Sequence, residues 1–401
     1  MISLYFKKQI AEIKSDGRMC FYGALLAFSH VLTALWWLRS GSVPRMANES
    51  EAICWPMFPN CEPFRIFDTN QLHWLVYSYI SIALLLTTIF TARKSISAGY
   101  FGLIALNLIK VLFLCLDYRL RMNQHYMAGI ITLLFLFAPN KSSQIRYIIP
   151  LFYFWAGFLK LNSEWLSGSA IYGDIWIFHD SPLLPWACAY VVALEIIGVW
   201  GLLSKNRLWF WCTVLQLSVF HIISYSVVSF FYPLLMLSLL SIFPMYWKED
   251  EGSPLKRLWT GRAGILTYAL VAFFSTLQIY HFCMPGDTAI TGEGRSFALH
   301  MFDAKIDCTA QALIKNSSGK RALDLRTHMP IRLECDPVVY WNKARHLCRK
   351  LEDEPGFVDI DLSLSSKHSN ETSFRQVVDI KNFCSEKIDY SLFQHNEWIS
   401  Y

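Results

Sequence analysis

Residues 98–117 read AGYFGLIALNLIKVLFLCLD, and Lys110 and Asp117 are the only charges in the run. At about 1.5 Å of rise per residue, such a run as a helix matches a hydrocarbon layer about 30 Å thick. Runs of the same kind occupy 19–38, 72–92, 183–203, 207–225, 227–246 and 263–283, while 124–139 and 146–161 are shorter and carry polar groups at their ends. Together they predict an α-helical polytopic membrane bundle of about nine spans. The composition agrees: 54% of the 401 residues are hydrophobic, 16% aromatic and 17% charged, with a mean hydropathy of +0.31. Soluble proteins hold about 45–50% apolar and about 25% charged residues. A disordered chain is therefore excluded, and the expectation turns away from a wholly soluble enzyme. The formal charge of +5 is small for the length and does not point to nucleic acid.

Beyond Pro285-Gly286 the chain turns polar, as in KLEDEPGFVDIDLSLSSKHSNETS. The expected organisation is a lead-in over 1–18, a transmembrane bundle over 19–283 and a soluble domain over 284–401. The lead-in, MISLYFKKQIAEIKSDGR, is charged and amphipathic and not a signal-peptide core, so the first span is expected to direct insertion.

Placing the N-terminus in the cytoplasm puts Lys7, Lys8, Lys14, Arg18, Arg93, Lys94, Lys141, Arg146, Lys205, Arg207, Lys248, Lys256, Arg257 and Arg262 on the positive side. The 39–71 loop, the Arg119/Arg121 turn, the acidic 162–182 segment and the tail then share the opposite side. Arg39, Arg45 and Arg65 in the first of these run against the rule. Cys54 and Cys61, and the tail's Cys308, Cys335, Cys348 and Cys384, also fall there, where disulfides form. Cys54–Cys61 is a local clip by spacing; pairing within the tail stays open. The sequons at Asn48, Asn316 and Asn370 lie on the same side and matter only in a eukaryotic host. No CxxC pair is present, and no metal site is expected.

Ionisable residues inside spans are costly and point to function. They are Lys110, Asp117, His125, Lys160, Glu195 and His221, with His30 and His73 near span ends, where interfacial placement is the simplest reading. Lys160 ends the run YFWAGFLKLNSEWLSG, after the small pair Ala156-Gly157 that permits close helix approach. It either snorkels to the interface or lies among aromatics, where its charged form is disfavoured and it can act as a neutral base. His125, with Asn123 and Gln124 beside it, either caps its helix or holds a polar oxygen of a ligand. His221 has Gln216, Ser218 and Ser224 nearby, suggesting a face toward the bundle interior. Glu195 is expected to pair with a buried cation such as Lys110. His-box, P-loop, GxSxG and dinucleotide-binding patterns are missing, and no inverted repeat is visible.

The run Ala156-Gly157-Phe158-Leu159-Lys160-Leu161, followed by Trp165 and Gly168, resembles a helix of the vitamin K-dependent gamma-carboxylases. It equally resembles the wider HTTM (horizontally transferred transmembrane domain) proteins, mostly bacterial. That family's lysine deprotonates vitamin K hydroquinone, and Lys160 matches it. His125 matches a histidine that follows an Asn-Asn pair, here Asn123-Gln124, and His221, after Phe220, matches a Phe-His pair. The resemblance covers residues from about 20 to about 385 and is most specific over 120–245. It implies a small, strand-rich extracytoplasmic domain after the bundle.

The resemblance further implies Lys160 as catalytic base and His125, Gln124 and His221 as cofactor-binding residues. Reduced vitamin K, a naphthoquinol delivered from the lipid bilayer, would be consumed with O2 and CO2 in coupled epoxidation and carboxylation. A peptide or protein substrate would approach from the extracytoplasmic side. The chain lacks room for the extended portion with which mammalian-type carboxylases grip a propeptide, and Gln124 replaces an Asn. The length favours a bacterial inner membrane, with the tail periplasmic or extracellular, or luminal in a eukaryote. The alternatives are a non-catalytic quinone- or lipid-binding membrane protein with an extracytoplasmic interaction domain, and a transporter with Lys110, Glu195 and Lys160 along its path.

Overall fold

The computed structural model describes residues 2–171, 175, 178, 181–247, 261–301, 304–326, 333–386 and 388–401. Helices dominate as far as residue 283. In order they are α1 (Ile2–Ser15), α2 (Gly17–Arg39), α3 (Ser42–Met46), α4 (Thr69–Ala92), α5 (Ile96–Cys115), α6 (Asn123–Phe137), α7 (Lys141–Phe158), α8 (Ser163–Ser167), α9 (Leu184–Ile196), α10 (Arg207–Val228), α11 (Phe231–Leu240), α12 (Ile242–Tyr246) and α13 (Gly261–Ile279). A 3₁₀ turn over Gly198–Leu203 extends α9. Each run read as a span is thus helical over most of its length. Among the described residues, five are long and apolar enough to cross a membrane: Gly17–Arg39, Thr69–Ala92, Ile96–Cys115, Leu184–Leu203 and Arg207–Val228. Of the rest, α7 contains Pro150, and the 227–246 run is interrupted at Ser241 between α11 and α12.

Capping fixes the helix starts. Asp16 accepts from the backbone N–H of Arg18 at the head of α2, and Asp68 with Gln71 forms a capping box at the head of α4. Helix α2 is the hub, with Tyr22, Ala27, Ala34 and Trp37 fully buried. By contrast, α4, α5 and α10 turn Trp74, Leu85, Leu108, Leu112, Leu208, Trp209 and Ile222 outward. Apolar side chains outside and ionisable ones inside are the arrangement that lipid selects.

The lead-in helix α1 is not a solvated arm. Phe6 packs on Tyr100 and Phe101 of α5, and Gln9 accepts from the Lys141 ammonium. Lys141, counted among the charges of the positive side, is fully buried there. Arg65, which ran against the charge rule, is also buried: it donates to the carbonyls of Met46 and Ser50 and so folds the 39–71 loop. Lys248, Lys256 and Arg257 lie outside the described residues.

A short α14 (Thr288–Thr291) leads into an antiparallel sheet of β1 (Ile306–Asn316), β2 (Gly319–Asp324), β3 (Phe357–His368) and β4 (Arg375–Ile380), in the order β2-β1-β3-β4. Helix α15 (Pro337–Leu351) precedes β3. The two-residue alternation of a half-buried strand puts Cys308, Ala310, Ala312 and Ile314 of β1 inside, beside Leu362 and Leu364 of β3. Trp341 and Ala344 of α15 belong to the same core. Three disulfides form: Cys54–Cys61, Cys308–Cys335 and Cys348–Cys384. The second ties β1 to the approach to α15, and the third ties α15 to the segment after β4.

This domain seats on one end of the bundle. Asn342 exchanges hydrogen bonds with the backbone of Cys54, both 3.1 Å, and the Tyr118 hydroxyl donates to Asp336 at 3.1 Å. Asn123 donates to the His300 carbonyl at 2.8 Å, and Arg121 lies 3.6 Å from Asp336. A charged clasp completes the seat: His368 Nε2 is 2.5 Å from Asp287, and its Nδ1 is 3.6 Å from Glu164 of α8. The 39–71 loop, the 118–121 turn, α8 and the tail therefore meet at one end.

The clasp makes the seat pH-dependent. The hydrogen bond to Asp287 holds the His368 imidazolium above its ordinary range, against the opposing effect of burial. Burial raises the Asp287 carboxyl, but the bonds from His368 and the Ala289 N–H outweigh it and leave the group below its usual range. The His368 contribution is complete below its unfolded pKa of about 6.5 and is lost as pH rises through the elevated folded value. A charged hydrogen bond of this kind contributes about 1.5–3 kcal/mol. Melting of the detergent-solubilised protein is expected to fall in temperature between about pH 6 and about pH 9, with a flatter profile in His368→Gln. Identical profiles for the two proteins would rule out the clasp.

Candidate functional site

Helix α7 sets the site. Tyr153, Gly157 and Lys160 follow one another at spacings of four and three, so they share a stripe about two turns long. The helix ends at Phe158, and the Lys160 N–H closes a tighter turn onto the Gly157 carbonyl. Asn162 then caps α8 by accepting from the Trp165 N–H, and Gly168 ends α8 in the left-handed region at φ 82°. Trp165 is fixed by its indole N–H, which donates to the Cys188 carbonyl of α9 at 3.0 Å. The spacing of Ala156-Gly157, Lys160, Trp165 and Gly168 is thus one structural unit: an approach point, a cation at a helix C-terminus, a lid and a turn.

Gly157 lets α9 reach α7. A β-carbon there would lie 2.7 Å from Glu195 Cβ and 3.0 Å from Ile196 Cγ1. This contact carries Glu195 over the end of α7, and Lys160 Nζ donates to both its oxygens at 2.7 and 2.6 Å. The partners are 2% and 1% exposed, so Lys160 does not snorkel to the interface. The ammonium also lies 4.9 Å from the centre of the Trp165 ring and 5.8 Å from that of Phe220. Glu195 was expected to pair with Lys110; it pairs with Lys160 because the Gly157 contact places it there. Lys110 belongs to another cluster, on α5.

The pair as a whole is neutral and shares one proton more than two bare bases would hold. That neutrality makes its burial tolerable; removing one partner of such a pair costs about 3–5 kcal/mol.

His221 of α10 faces the same stripe, its Nε2 2.5 Å from the Tyr153 hydroxyl. With the hydroxyl donating to Nε2, Nδ1 carries the ring hydrogen, and this fully buried nitrogen has no partner among the described residues. Phe220 and Tyr232 border the ring at 5.1 and 5.5 Å. The expected polar face beside it does not form. Ser218 and Ser224 bond to carbonyls of their own helix, and Gln216 accepts from Tyr190.

His125 stands apart from Lys160. It lies in the first turn of α6, 5% exposed, against Trp37 at 6.2 Å and Phe231 at 5.5 Å, with neither ring nitrogen bonded. Phe231 faces His125 and Tyr232 faces His221, so the start of α11 separates the two histidines. Gln124 is 7% exposed and its amide donates to the Met122 sulfur at 3.8 Å, while Asn123 is spent on His300.

His30, expected near the interface, is 1% exposed and bonded to Tyr79, because α2 is the hub of the bundle. His73 is half-buried at the start of α4, bonded to the Thr69 carbonyl. Asp117 is buried, caps the turn after α5 and pairs with Arg119 at 2.6 Å. Sequence reading missed Tyr153 and Tyr232. The first was legible in the spacing that puts it under Lys160; the second has no such signal.

Among the described residues, Cys54, Cys61 and Glu62 cluster closely enough for a metal ion, but the two sulfurs are joined to each other and offer no thiolate. No protein-family model, curated protein or solved structure matches the chain.

The close approach at Gly157 has a distinctive consequence. In an ordinary helix interior, Gly→Ala stabilises by about 0.5–1 kcal/mol. Gly157→Ala is expected to do the reverse, lowering stability by about 1–3 kcal/mol as the new methyl drives Glu195 from Lys160. Thermal melting in detergent reads the sign, and a more stable variant would show that the helices do not touch here.

Proposed function

We propose that the chain is an HTTM-type membrane protein, similar to the vitamin K-dependent carboxylases, in which the Lys160–Glu195 pair is the base. The observation that carries this reading is a neutral, buried Lys–Glu pair beside the unused Nδ1 of His221, walled by Trp165, Phe220 and Tyr232. An orphaned buried donor fits a phenolic or quinone oxygen, and aromatic walls fit a flat bicyclic ring. When bound, a reduced naphthoquinone supplies an acidic phenol and, with O2, a base strong enough to open a carbon acid to CO2.

The residues' own part follows from charge. Whichever partner holds the shared proton, the pair takes up one more and becomes singly positive beside the oxygen that lost it. His221 Nδ1–H donates to the same oxygen, and Tyr153 fixes the imidazole that does so. Trp165 and Phe220 keep water from the ammonium. His125 and Gln124, which the resemblance gives to the same cofactor, lie beyond the start of α11 and take no part in this step.

Nine crossings, a cytoplasmic N-terminus and an extracytoplasmic tail complete the reading, with the tail presenting a peptide or protein substrate. Lys160→Ala, in membranes supplied with reduced vitamin K, is expected to lower epoxide formation and O2 uptake by about 100-fold or more. Undiminished epoxide would remove Lys160 from the chemistry.

A second reading, a non-catalytic quinone-binding protein, is favoured by the full engagement of Lys160 with both Glu195 oxygens. It predicts quinone binding with no O2 uptake in the unaltered protein.

A further inference from the structure

A second group of unused polar atoms lies on the other side of α11. Lys110 of α5 is 4% exposed, and among the described residues it makes no hydrogen bond or ion pair. Trp37 of α2 is fully buried, and among the described residues its indole N–H has no acceptor. His125 of α6 is buried, and among the described residues neither ring nitrogen has a hydrogen-bond partner.

These residues are neighbours. Phe113, one turn beyond Lys110 on the buried face of α5, packs on Trp37 at 5.2 Å, and Trp37 packs on His125 at 6.2 Å. Lys110 lies within electrostatic reach of His125 and of His30. His30 is committed to Tyr79, which lies 5.9 Å from Trp37.

Buried donors almost always find acceptors, and an isolated buried charge finds a counter-charge. Here the unmet groups are nearly all donors. Trp37 and Lys110 can only donate, and neutral His125 offers one N–H. What satisfies them is a compact anion with several acceptor oxygens.

We propose that Lys110, Trp37 and His125 form a second buried site, separate from the Lys160–Glu195 pair, that binds a carboxylate. The carboxylate charge neutralises the Lys110 ammonium, and its oxygens accept from Trp37 and His125. The proposal does not depend on any activity at Lys160. The carboxylate can belong to a fatty acid entering from the bilayer or to a small water-soluble acid, and the two differ in what else must fit.

The test uses the full chain in a nonionic detergent, with acetate, palmitate and uncharged hexadecanol as probes and thermal stabilisation and calorimetric titration as readouts. Stabilisation by both acids identifies a site that reads the carboxylate alone; stabilisation by palmitate only identifies the lipid source. Either supports the proposal, provided hexadecanol binds about tenfold or more weakly than palmitate. Lys110→Met is expected to weaken acid binding by about tenfold or more, and Trp37→Phe to weaken it less. Because Met removes a buried polar group that has no partner among the described residues, Lys110→Met without ligand is expected to melt at or above the parent temperature. Equal binding of palmitate and hexadecanol, no binding of either acid, unchanged binding in Lys110→Met, or a less stable ligand-free Lys110→Met would each overturn the site.

Discussion

A charge taken out of water must be cancelled close by, and this requirement organises the bundle around Lys160 and Glu195. Neither residue is tolerable alone at 2% and 1% exposure. Their union depends on backbone proximity, which depends on Gly157 having no side chain. The turn that ends α7 then aims Lys160 at α9, and Trp165, tied to the Cys188 carbonyl, covers the ammonium. The helix stop, the glycine, the acid and the tryptophan serve one electrostatic condition.

The same requirement explains the far end of the bundle. The C-terminal sheet domain seats through polar contacts that would be costly if left unmet: Asn342 on the Cys54 backbone, Tyr118 and Arg121 on Asp336, and His368 between Asp287 and Glu164. The Cys54–Cys61 clip and buried Arg65 stiffen the 39–71 loop against which Asn342 docks. Loop, turn and domain therefore form one polar cap over an apolar bundle.

What was legible in the sequence follows from how local each signal is. Helical runs are written in consecutive apolar residues, so each expected span folds as helix over most of its length. The anomaly of Lys160 was legible because a lysine after Ala-Gly at a helix end stands out locally; its burial and pairing bear out only that it is not an ordinary surface lysine. Its partner was not legible: Glu195 is 35 residues away, and nothing local distinguishes pairing with Lys160 from pairing with Lys110. His30 was assigned to the interface by its position near a span end, and Lys141 to the positive side by the charge rule, neither of which speaks of burial. The packing of α1 and the central place of α2 bury both, and these are tertiary facts. The tail's disulfide pairing was open for the same reason, since β1 and α15 meet only after the sheet forms.

The claim at the centre of this account is that Lys160 and Glu195 behave as one neutral unit. Melting temperatures of Lys160→Met, Glu195→Met and the double variant measure this directly. Each single change is expected to cost about 3–5 kcal/mol by leaving one charge buried alone, and the double variant to be more stable than either. A double variant whose loss equals the sum of the two singles would mean that the residues are independent, and the account built on their pairing would be wrong.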